Sequence, residues 1–279
     1  AGLLHEQTGS EPRTSVVKLK PDGDKTPFFC VHAIGGSALA YRDLAFQLGD
    51  RQPFYGLHAR GVDTEEPPLD DIPTIARGYI EGIRQIQPQG PYQLGGWSFG
   101  GLVAFEMAQQ LHQAGQQVSL LTLMDTWSPY LDGERGADQG RLLLLLARDL
   151  GLEVSAQELQ ALAPEERVRH ITRIATRSNA LPAGLDASHI ERLLRVYEAH
   201  MRAASTYKPR PYNGQVRLIR PQQPLWQEDA ALLKRDPACG WGSLTAKPVS
   251  VDIVEGDHFT MVRPPLVTGL AAVLRSFLD

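Results

Sequence analysis

One serine stands in a pattern that suits a covalent nucleophile. The run Gly96-Trp97-Ser98-Phe99-Gly100 follows an apolar segment and precedes a helical one, so this Gly-x-Ser-x-Gly pattern falls where a strand turns into a helix. Small residues on either side let strand and helix pass closely, and the helix N-terminus favours developing negative charge. We therefore predict that Ser98 is a nucleophile. The alternative is an ordinary serine in a glycine-rich turn.

A serine hydroxyl needs a base, and the base needs an acid that orients it. In this kind of site the chain order is serine, acid, histidine. Asp125 directly follows an apolar strand-like segment, residues 120–124, about one helix and one strand after Ser98. That position favours Asp125 as the acid over a surface aspartate that begins a loop.

His258 is the predicted base, because it lies between a late strand-like segment and the last helix, in Gly256-Asp257-His258-Phe259. Three histidines with charged neighbours in a helical stretch are predicted to be solvated: His170, His189 and His200. Four others precede Asp125, against the expected order: His5, His32, His58 and His112. Of these, His32 is interpreted as a residue that shapes its own loop.

An oxyanion formed at the substrate carbonyl needs backbone N–H donors. One donor is predicted at Phe99, directly after the nucleophile, and the other in the loop His32-Ala33-Ile34-Gly35-Gly36 after an early strand. The glycines of that loop allow its backbone to turn N–H groups inward. Each donor contributes about 10² to 10³ in rate.

The elements that must position these residues alternate along the chain. Apolar residues at positions 72, 75, 79, 83 and 86 predict a helix, and the apolar run 118–124 predicts a strand buried on both faces. The alternation predicts an α/β fold with a mostly parallel central sheet flanked by helices. From residue 130 to 213 the pattern is helical, which predicts an insertion that forms a lid.

Predicted strands cover residues 16–20, 27–32, 53–58, 92–97, 118–124, 215–219 and 249–254. Predicted helices cover residues 38–48, 72–86, 99–114, 139–150, 156–162, 164–175, 188–207 and 266–278. Residues 1–14 are predicted to be a linker or arm, and residues 15–279 the folded domain.

Composition excludes several classes of protein. The chain has 279 residues with 42% apolar and 22% charged residues, typical of a globular domain. A net charge of −4 argues against a dedicated nucleic-acid binder.

The longest aliphatic run, residues 142–147, is far shorter than the roughly 20 residues of a membrane span. Two cysteines support neither a disulfide framework nor a four-cysteine zinc site, and no signal peptide is visible, so we expect a cytoplasmic protein.

Together the motifs resemble a type I thioesterase domain of the α/β-hydrolase superfamily, the kind that ends a nonribosomal peptide synthetase or a hybrid polyketide assembly line. The resemblance covers about residues 15–279. It depends on Val31-His32-Ala33-Ile34-Gly35-Gly36 with Tyr41, Gly95 to Gly101, Met124-Asp125, Gly240-Trp241 and Gly256 to Phe259. Trp97, before the serine, is more similar to the peptide-synthetase branch.

The resemblance implies Ser98 as nucleophile, Asp125 as acid and His258 as base, with backbone donors at Ile34 and Phe99. It implies no cofactor or metal of the domain's own. The implied partner is an upstream acyl or peptidyl carrier protein that presents a phosphopantetheine thioester. The Ser98 ester is then released by water, or by an internal amine or hydroxyl that closes a ring.

Three alternatives stay open at this point. The first is a stand-alone type II editing thioesterase, which has the same triad. The second is a general serine esterase, which takes simple oxygen esters as readily as thioesters. The third is an α/β-hydrolase scaffold that only binds, which needs no triad. Arginines of the insertion could meet an acidic carrier or a phosphate, but we favour a solvated helix face. They are Arg141, Arg148, Arg167, Arg169, Arg173 and Arg192.

Overall fold

A computed structural model describes residues 15–132, 139–177, 187–227 and 229–278. The predicted arm, residues 1–14, lies outside the described residues. Within the described part of the chain, one seven-stranded sheet has the order β1-β3-β2-β4-β5-β6-β7. The strands are β1 Val16–Lys20, β2 Phe28–Val31, β3 Phe54–Leu57, β4 Tyr92–Trp97, β5 Val118–Met124, β6 Arg217–Pro221 and β7 Ser250–Val254.

The sheet is mostly parallel, which confirms the predicted α/β class. Only the pairing of β1 with β3 is antiparallel, and β2 to β7 otherwise run parallel to their neighbours. Every residue of β2, β3 and β4 is buried. This is expected of central strands that helices cover on both faces.

Ten α-helices lie within the described ranges. Their bounds are α1 Arg42–Gln47, α2 Ile72–Arg84, α3 Phe99–Gln113, α4 Pro129–Asp132, α5 Gln139–Asp149, α6 Ala156–Gln160, α7 Pro164–Arg177, α8 Ala187–Thr206, α9 Asp229–Arg235 and α10 Val267–Arg275. Short 3-10 turns occupy Ala38–Tyr41, Trp241–Leu244 and Thr260–Val262. Among the described helices, none is both long enough and apolar enough to cross a bilayer.

The pattern predicted most of these elements to within about two residues and missed the short ones. Helices α4 and α9 have too few turns to show a clear apolar period. The predicted helix 38–48 is instead a 3-10 turn followed by α1. Asp71 caps α2 and accepts a 2.9 Å hydrogen bond from the Thr74 N–H.

Helix α8 links the helical insertion to the main core. Its middle places Leu194 and Tyr197 in a separate apolar cluster with α5 and α7. Further along, Ala203 and the following Tyr207 belong to the core cluster that contains α2 and α3. The Tyr207 hydroxyl donates a 2.9 Å hydrogen bond to Glu106 of α3. The end of α8 is therefore fixed to the body of the domain.

Candidate active site

Ser98 lies in the turn from β4 to α3 with a strained backbone. Its φ of 58° and ψ of −124° lie outside the regions that side chains normally allow. Its N–H donates to the Met124 carbonyl at 2.8 Å, and its own carbonyl accepts from the Thr126 hydroxyl at 3.0 Å. The end of strand β5 and the loop directly after it thus help to hold the serine in this conformation.

Glycine is required on both sides of Ser98 because backbones approach closely there. A Cβ on Gly96 would lie 2.2 Å from the backbone of Gly100. A Cβ on Gly100 would lie 2.3 Å from the Val31 carbonyl oxygen of β2. These contacts are the close passage of strand and helix that the sequence pattern predicts.

Asp125 is placed by the end of β5. Its N–H donates to the Ile219 carbonyl of β6 at 2.7 Å, and its φ of 42° turns the chain away from the sheet. The carboxylate is buried, and its Oδ2 lies 2.6 Å from the Nδ1 of His258. The structure therefore brings together a predicted acid and a predicted base that are far apart in the sequence.

His258 lies in a loop after β7 that its neighbours hold firmly. The Asp257 carboxylate accepts from the N–H groups of Phe259 and Thr260, both at 2.9 Å. The His258 ring packs against Trp97 and Phe259, with centroids 5.0 and 5.1 Å away. Because the carboxylate of Asp125 only accepts, the proton lies on Nδ1 and leaves Nε2 of a neutral imidazole as an acceptor.

Ser98 and His258 line one small cavity of about 30 Å³. The other lining residues are Ala33, Ile34, Trp97, Leu145, Asp149, Tyr197 and Phe259. Small-molecule sites usually measure about 300 Å³ or more, so this conformation encloses little beyond the reaction centre. Three lining residues belong to α5 and α8 of the insertion, and sequence analysis did not identify them.

One wall of the cavity carries a carboxyl group, that of Asp149 at the end of α5. The Tyr197 hydroxyl donates to its Oδ2 at 2.5 Å, which joins α5 to α8. Burial raises the pKa of Asp149, while the Tyr197 hydroxyl and the charge of Arg263 act in the opposite direction. Gly35 leaves room for this pair, because a Cβ there would lie 2.7 Å from Asp149 Oδ2.

His32 is fully buried beneath the loop that follows β2. Its Nδ1 lies 2.6 Å from the Ala33 carbonyl and its Nε2 lies 2.6 Å from the Tyr79 hydroxyl. Since a carbonyl only accepts, Nδ1 donates and Nε2 accepts from the tyrosine. Burial lowers the pKa of His32 well below its usual value, so the ring is neutral. These bonds fit the predicted loop-shaping role.

The prediction that His200 is solvated was wrong. Its side chain is 1% exposed, its Nδ1 lies 2.7 Å from the Ile34 carbonyl, and its ring stacks on Phe99 at 4.5 Å. Burial lowers the pKa of His200 to about 4. The charged neighbours in sequence lie on other faces of α8. The useful signal was the buried stripe to which His200 belongs, with Tyr197 three residues earlier and Ala203 three residues later.

The other two histidines that were predicted to be solvated are His170 and His189. His170 is partly buried on α7, and the His189 side chain lies outside the described residues.

The arginines of the insertion divide into two groups. Arg192 pairs with Glu65 at 2.8 Å, Arg148 lies over the Trp226 ring, and Arg167 donates to a backbone carbonyl. Arg169 and Arg173 are exposed, as the solvated-face interpretation expects, and the Arg141 side chain lies outside the described residues. Among the residues that are described, no group of three or more side chains of His, Cys, Asp or Glu is arranged to hold a metal ion.

Comparison with known proteins gives consistent relatives. Residues 26–277 match the family model described as the thioesterase domain. Indigoidine synthase of Dickeya dadantii (strain 3937) is 32% identical over 277 residues, which cover 95% of this chain and 18% of that protein. A dimodular nonribosomal peptide synthase of Bacillus subtilis (strain 168) is 34% identical over 206 residues, covering 74% of this chain and 8% of that protein. The chain thus spans less than a fifth of these curated relatives.

Solved structures agree in fold. A four-domain nonribosomal peptide synthetase, holo-AB3403 bound to AMP and glycine, matches with a TM-score of 0.83 and 29% identity, over 94% of this chain and 20% of that chain. The NocB thioesterase domain from the nocardicin cluster matches with a TM-score of 0.66 and 25% identity, over 94% and 97% of the two chains. On the family match and these relatives, the chain belongs to the thioesterase domain family.

Proposed function

We propose that this thioesterase domain releases an acyl or peptidyl chain from the phosphopantetheine thioester of a carrier protein, through an ester on Ser98. The observation that carries the proposal is the 2.6 Å contact between His258 and Asp125, with His258 and Ser98 lining the same cavity. The similarity to large synthetases favours a domain that acts within such an enzyme over a stand-alone editing enzyme.

In the first half-reaction, Ser98 Oγ attacks the thioester carbonyl while His258 Nε2 takes the hydroxyl proton. Asp125 keeps the other ring proton on Nδ1 and stabilises the imidazolium. The carbonyl oxygen gains negative charge, and we propose that it accepts hydrogen bonds from the N–H groups of Ile34 and Phe99. Collapse of the intermediate breaks the carbon–sulfur bond, and His258 returns the proton to the departing phosphopantetheine thiol.

In the second half-reaction, His258 removes a proton from the attacking group. Water as the attacking group gives a free acid, and an amine or hydroxyl of the same chain gives a ring. Either attack breaks the Ser98 ester and returns the proton to Ser98. Ring closure requires the pocket walls, including Leu145 and Tyr197, to bring the chain's own nucleophile close.

The proposal divides the chain into an arm at residues 1–14 and a domain at residues 15–279, with residues 130–213 as a helical lid. The domain acts without a cofactor of its own, since the proposed steps need only these side chains and backbone donors. Its partner is the carrier protein that presents the thioester. The buried thiols of Cys30 and Cys239 fit a reducing compartment, and we propose the cytoplasm.

The test is intact-mass spectrometry of the protein mixed with peptidyl thioesters, both on N-acetylcysteamine and on a phosphopantetheinylated carrier protein. We expect an acyl adduct on the wild type, no adduct on Ser98→Ala, and release slower by several orders of magnitude in that variant. Ser205→Ala, which changes an exposed serine on α8, is the matched control. Product mass separates the acid from a ring one water lighter.

Near-normal turnover by folded Ser98→Ala contradicts the proposed mechanism. Equal rates on matched oxygen esters and carrier-bound thioesters favour a general esterase. If no thioester reacts, a fluorophosphonate decides whether the substrate or the nucleophile is wrong, because it labels an activated Ser98 without any acyl specificity.

A further inference from the structure

Two buried histidine rings stack on each other beside the proposed oxyanion donors. The rings of His32 and His200 lie 5.0 Å apart with an interplanar angle of 18°. Both also stack on Phe99, at 6.0 Å for His32 and 4.5 Å for His200. His32 follows β2 of the sheet, whereas His200 comes from α8 of the insertion, so two distant segments meet at one point.

Each ring controls one peptide of the loop after β2. The Ala33 carbonyl shares its peptide group with the Ile34 N–H, and in a trans peptide these two groups point in opposite directions. The Ala33 carbonyl accepts from His32 Nδ1 at 2.6 Å and from the Gly36 N–H at 2.9 Å. Fixing that oxygen fixes the direction of the Ile34 N–H.

His200 acts on the next peptide and on Phe99. Its Nδ1 lies 2.7 Å from the Ile34 carbonyl, and because that carbonyl only accepts, Nδ1 carries the proton. The same ring lies almost parallel to the Phe99 ring, at 16°. His200 therefore contacts both residues whose N–H groups are the proposed donors. Val196, one turn earlier on α8, packs on the same loop, with its Cγ1 3.0 Å from where a Cβ of Gly36 would lie.

We propose that His200 is a positioning residue that sets the geometry of the oxyanion hole from the helical insertion. The proposal rests on the proposed function above. His200 holds the Ile34–Gly35 peptide by a hydrogen bond and the Phe99 residue by stacking, while His32 holds the preceding peptide. The role requires neutral rings, which burial of both histidines provides. His200 does not touch the substrate and transfers no proton.

Two substitutions of His200 separate its hydrogen bond from its stacking, and a third variant is the control. His200→Phe keeps an aromatic ring of similar size and removes the donor to Ile34. His200→Gln removes the ring and keeps an amide N–H that can reach the same carbonyl. Glu198→Ala, on the exposed face of the same helix, is the matched control. Circular dichroism and thermal melting establish that each variant is folded, and if the Phe variant does not fold, the Gln variant decides.

The readouts are kcat and KM for an N-acetylcysteamine thioester, and the inhibition constant of a trifluoromethyl ketone with the same acyl chain. Ser98 adds to that ketone and leaves a negatively charged oxygen in the oxyanion hole. We expect His200→Phe to lower kcat about 10- to 100-fold with KM within about twofold of wild type. The inhibition constant should rise by the same factor as kcat/KM falls, because both report transition-state binding. The Gln variant should fall between the Phe variant and the wild type.

Wild-type kcat and inhibition constant in folded His200→Phe overturn the inference. A raised KM with unchanged kcat also overturns it, because that result assigns His200 to substrate binding. Failure of the proposed function is recognised separately, by turnover in Ser98→Ala. If the wild type accepts no thioester, the rate at which a fluorophosphonate labels Ser98 replaces kcat, since the phosphoryl oxygen must enter the same oxyanion hole.

Discussion

The parallel sheet and the helical insertion contribute to the site in different ways. Ser98 and Asp125 come directly after strands β4 and β5, and their N–H groups donate to carbonyls of neighbouring strands. His258 lies in the loop after β7, which the Asp257 carboxylate holds. The insertion supplies walls, namely Leu145, Asp149 and Tyr197, and the buried His200. In the proposed function, the sheet supplies the groups that react, whereas the insertion selects the acyl chain and positions the oxyanion donors.

The largest expected effect tests the part that belongs to the sheet. Asp125→Asn keeps the size of the side chain but removes its negative charge and replaces one acceptor oxygen by an NH2 donor, so the His258 proton is no longer held on Nδ1. We expect kcat to fall about 10⁴-fold with little change in KM or melting temperature. Asp43→Asn, an exposed aspartate on α1, is the control. A decrease in kcat of less than tenfold would contradict the role of Asp125 as the acid of the triad.

A second prediction concerns the close packing around the serine. Gly100→Ala places a methyl group 2.3 Å from the Val31 carbonyl and should lower the free energy of unfolding by about 3 kcal/mol. Gly78→Ala on α2 is the matched control, because among the described residues no atom beyond its chain neighbours and its own helix backbone lies within 4 Å of the added Cβ. In a helix interior that change should stabilise by about 0.5–1 kcal/mol. Chemical denaturation measures both, and equal stability of the two variants would contradict the close approach.

A third prediction uses the buried histidine of the insertion. With a pKa of about 4 in the folded state and the usual 6.5 when unfolded, His200 is neutral in both states above pH 6.5. Below that pH only the unfolded state gains the proton. The free energy of unfolding therefore decreases as the pH is lowered from 6.5 to about 4. Between pH 7 and 5, wild type should lose about 2 kcal/mol more than His200→Phe. Denaturation at both pH values checks this, with Glu198→Ala as control, and parallel losses in wild type and His200→Phe would contradict it.

The smallest expected effect tests the walls. Leu145→Ala enlarges the cavity beside Ser98 and should raise kcat/KM for a bulkier acyl chain about tenfold relative to a smaller one. Fluorophosphonate labelling of Ser98 should keep its rate, because the sheet is unchanged. Leu39→Ala, at a leucine that is 61% exposed, is the control. An unchanged substrate preference with slower labelling would assign Leu145 to the reaction centre instead.

The sequence predicted the two regions unequally for a physical reason. Ser98 and Asp125 directly follow buried strands, so a short apolar run identifies their positions, and their catalytic roles stay predictions. The cavity walls depend on how α5 and α8 pack, which no local pattern encodes. His200 was misassigned because its sequence neighbours Glu198 and Arg202 are charged, although they lie on other faces of the helix.

The divided packing of α8 determines where chimeric domains can be joined. Exchange of α5 to α7 with those of another member replaces the apolar cluster that Leu194 and Tyr197 complete, so their partners must be exchanged with matching volumes. A junction after Tyr207 would also import a foreign residue opposite Glu106 of α3. Junctions should therefore lie on either side of residues 194–207, so that this stretch retains the recipient's own sequence. Such a chimera receives new cavity walls from α5 and keeps the Tyr207–Glu106 hydrogen bond that fixes the end of α8.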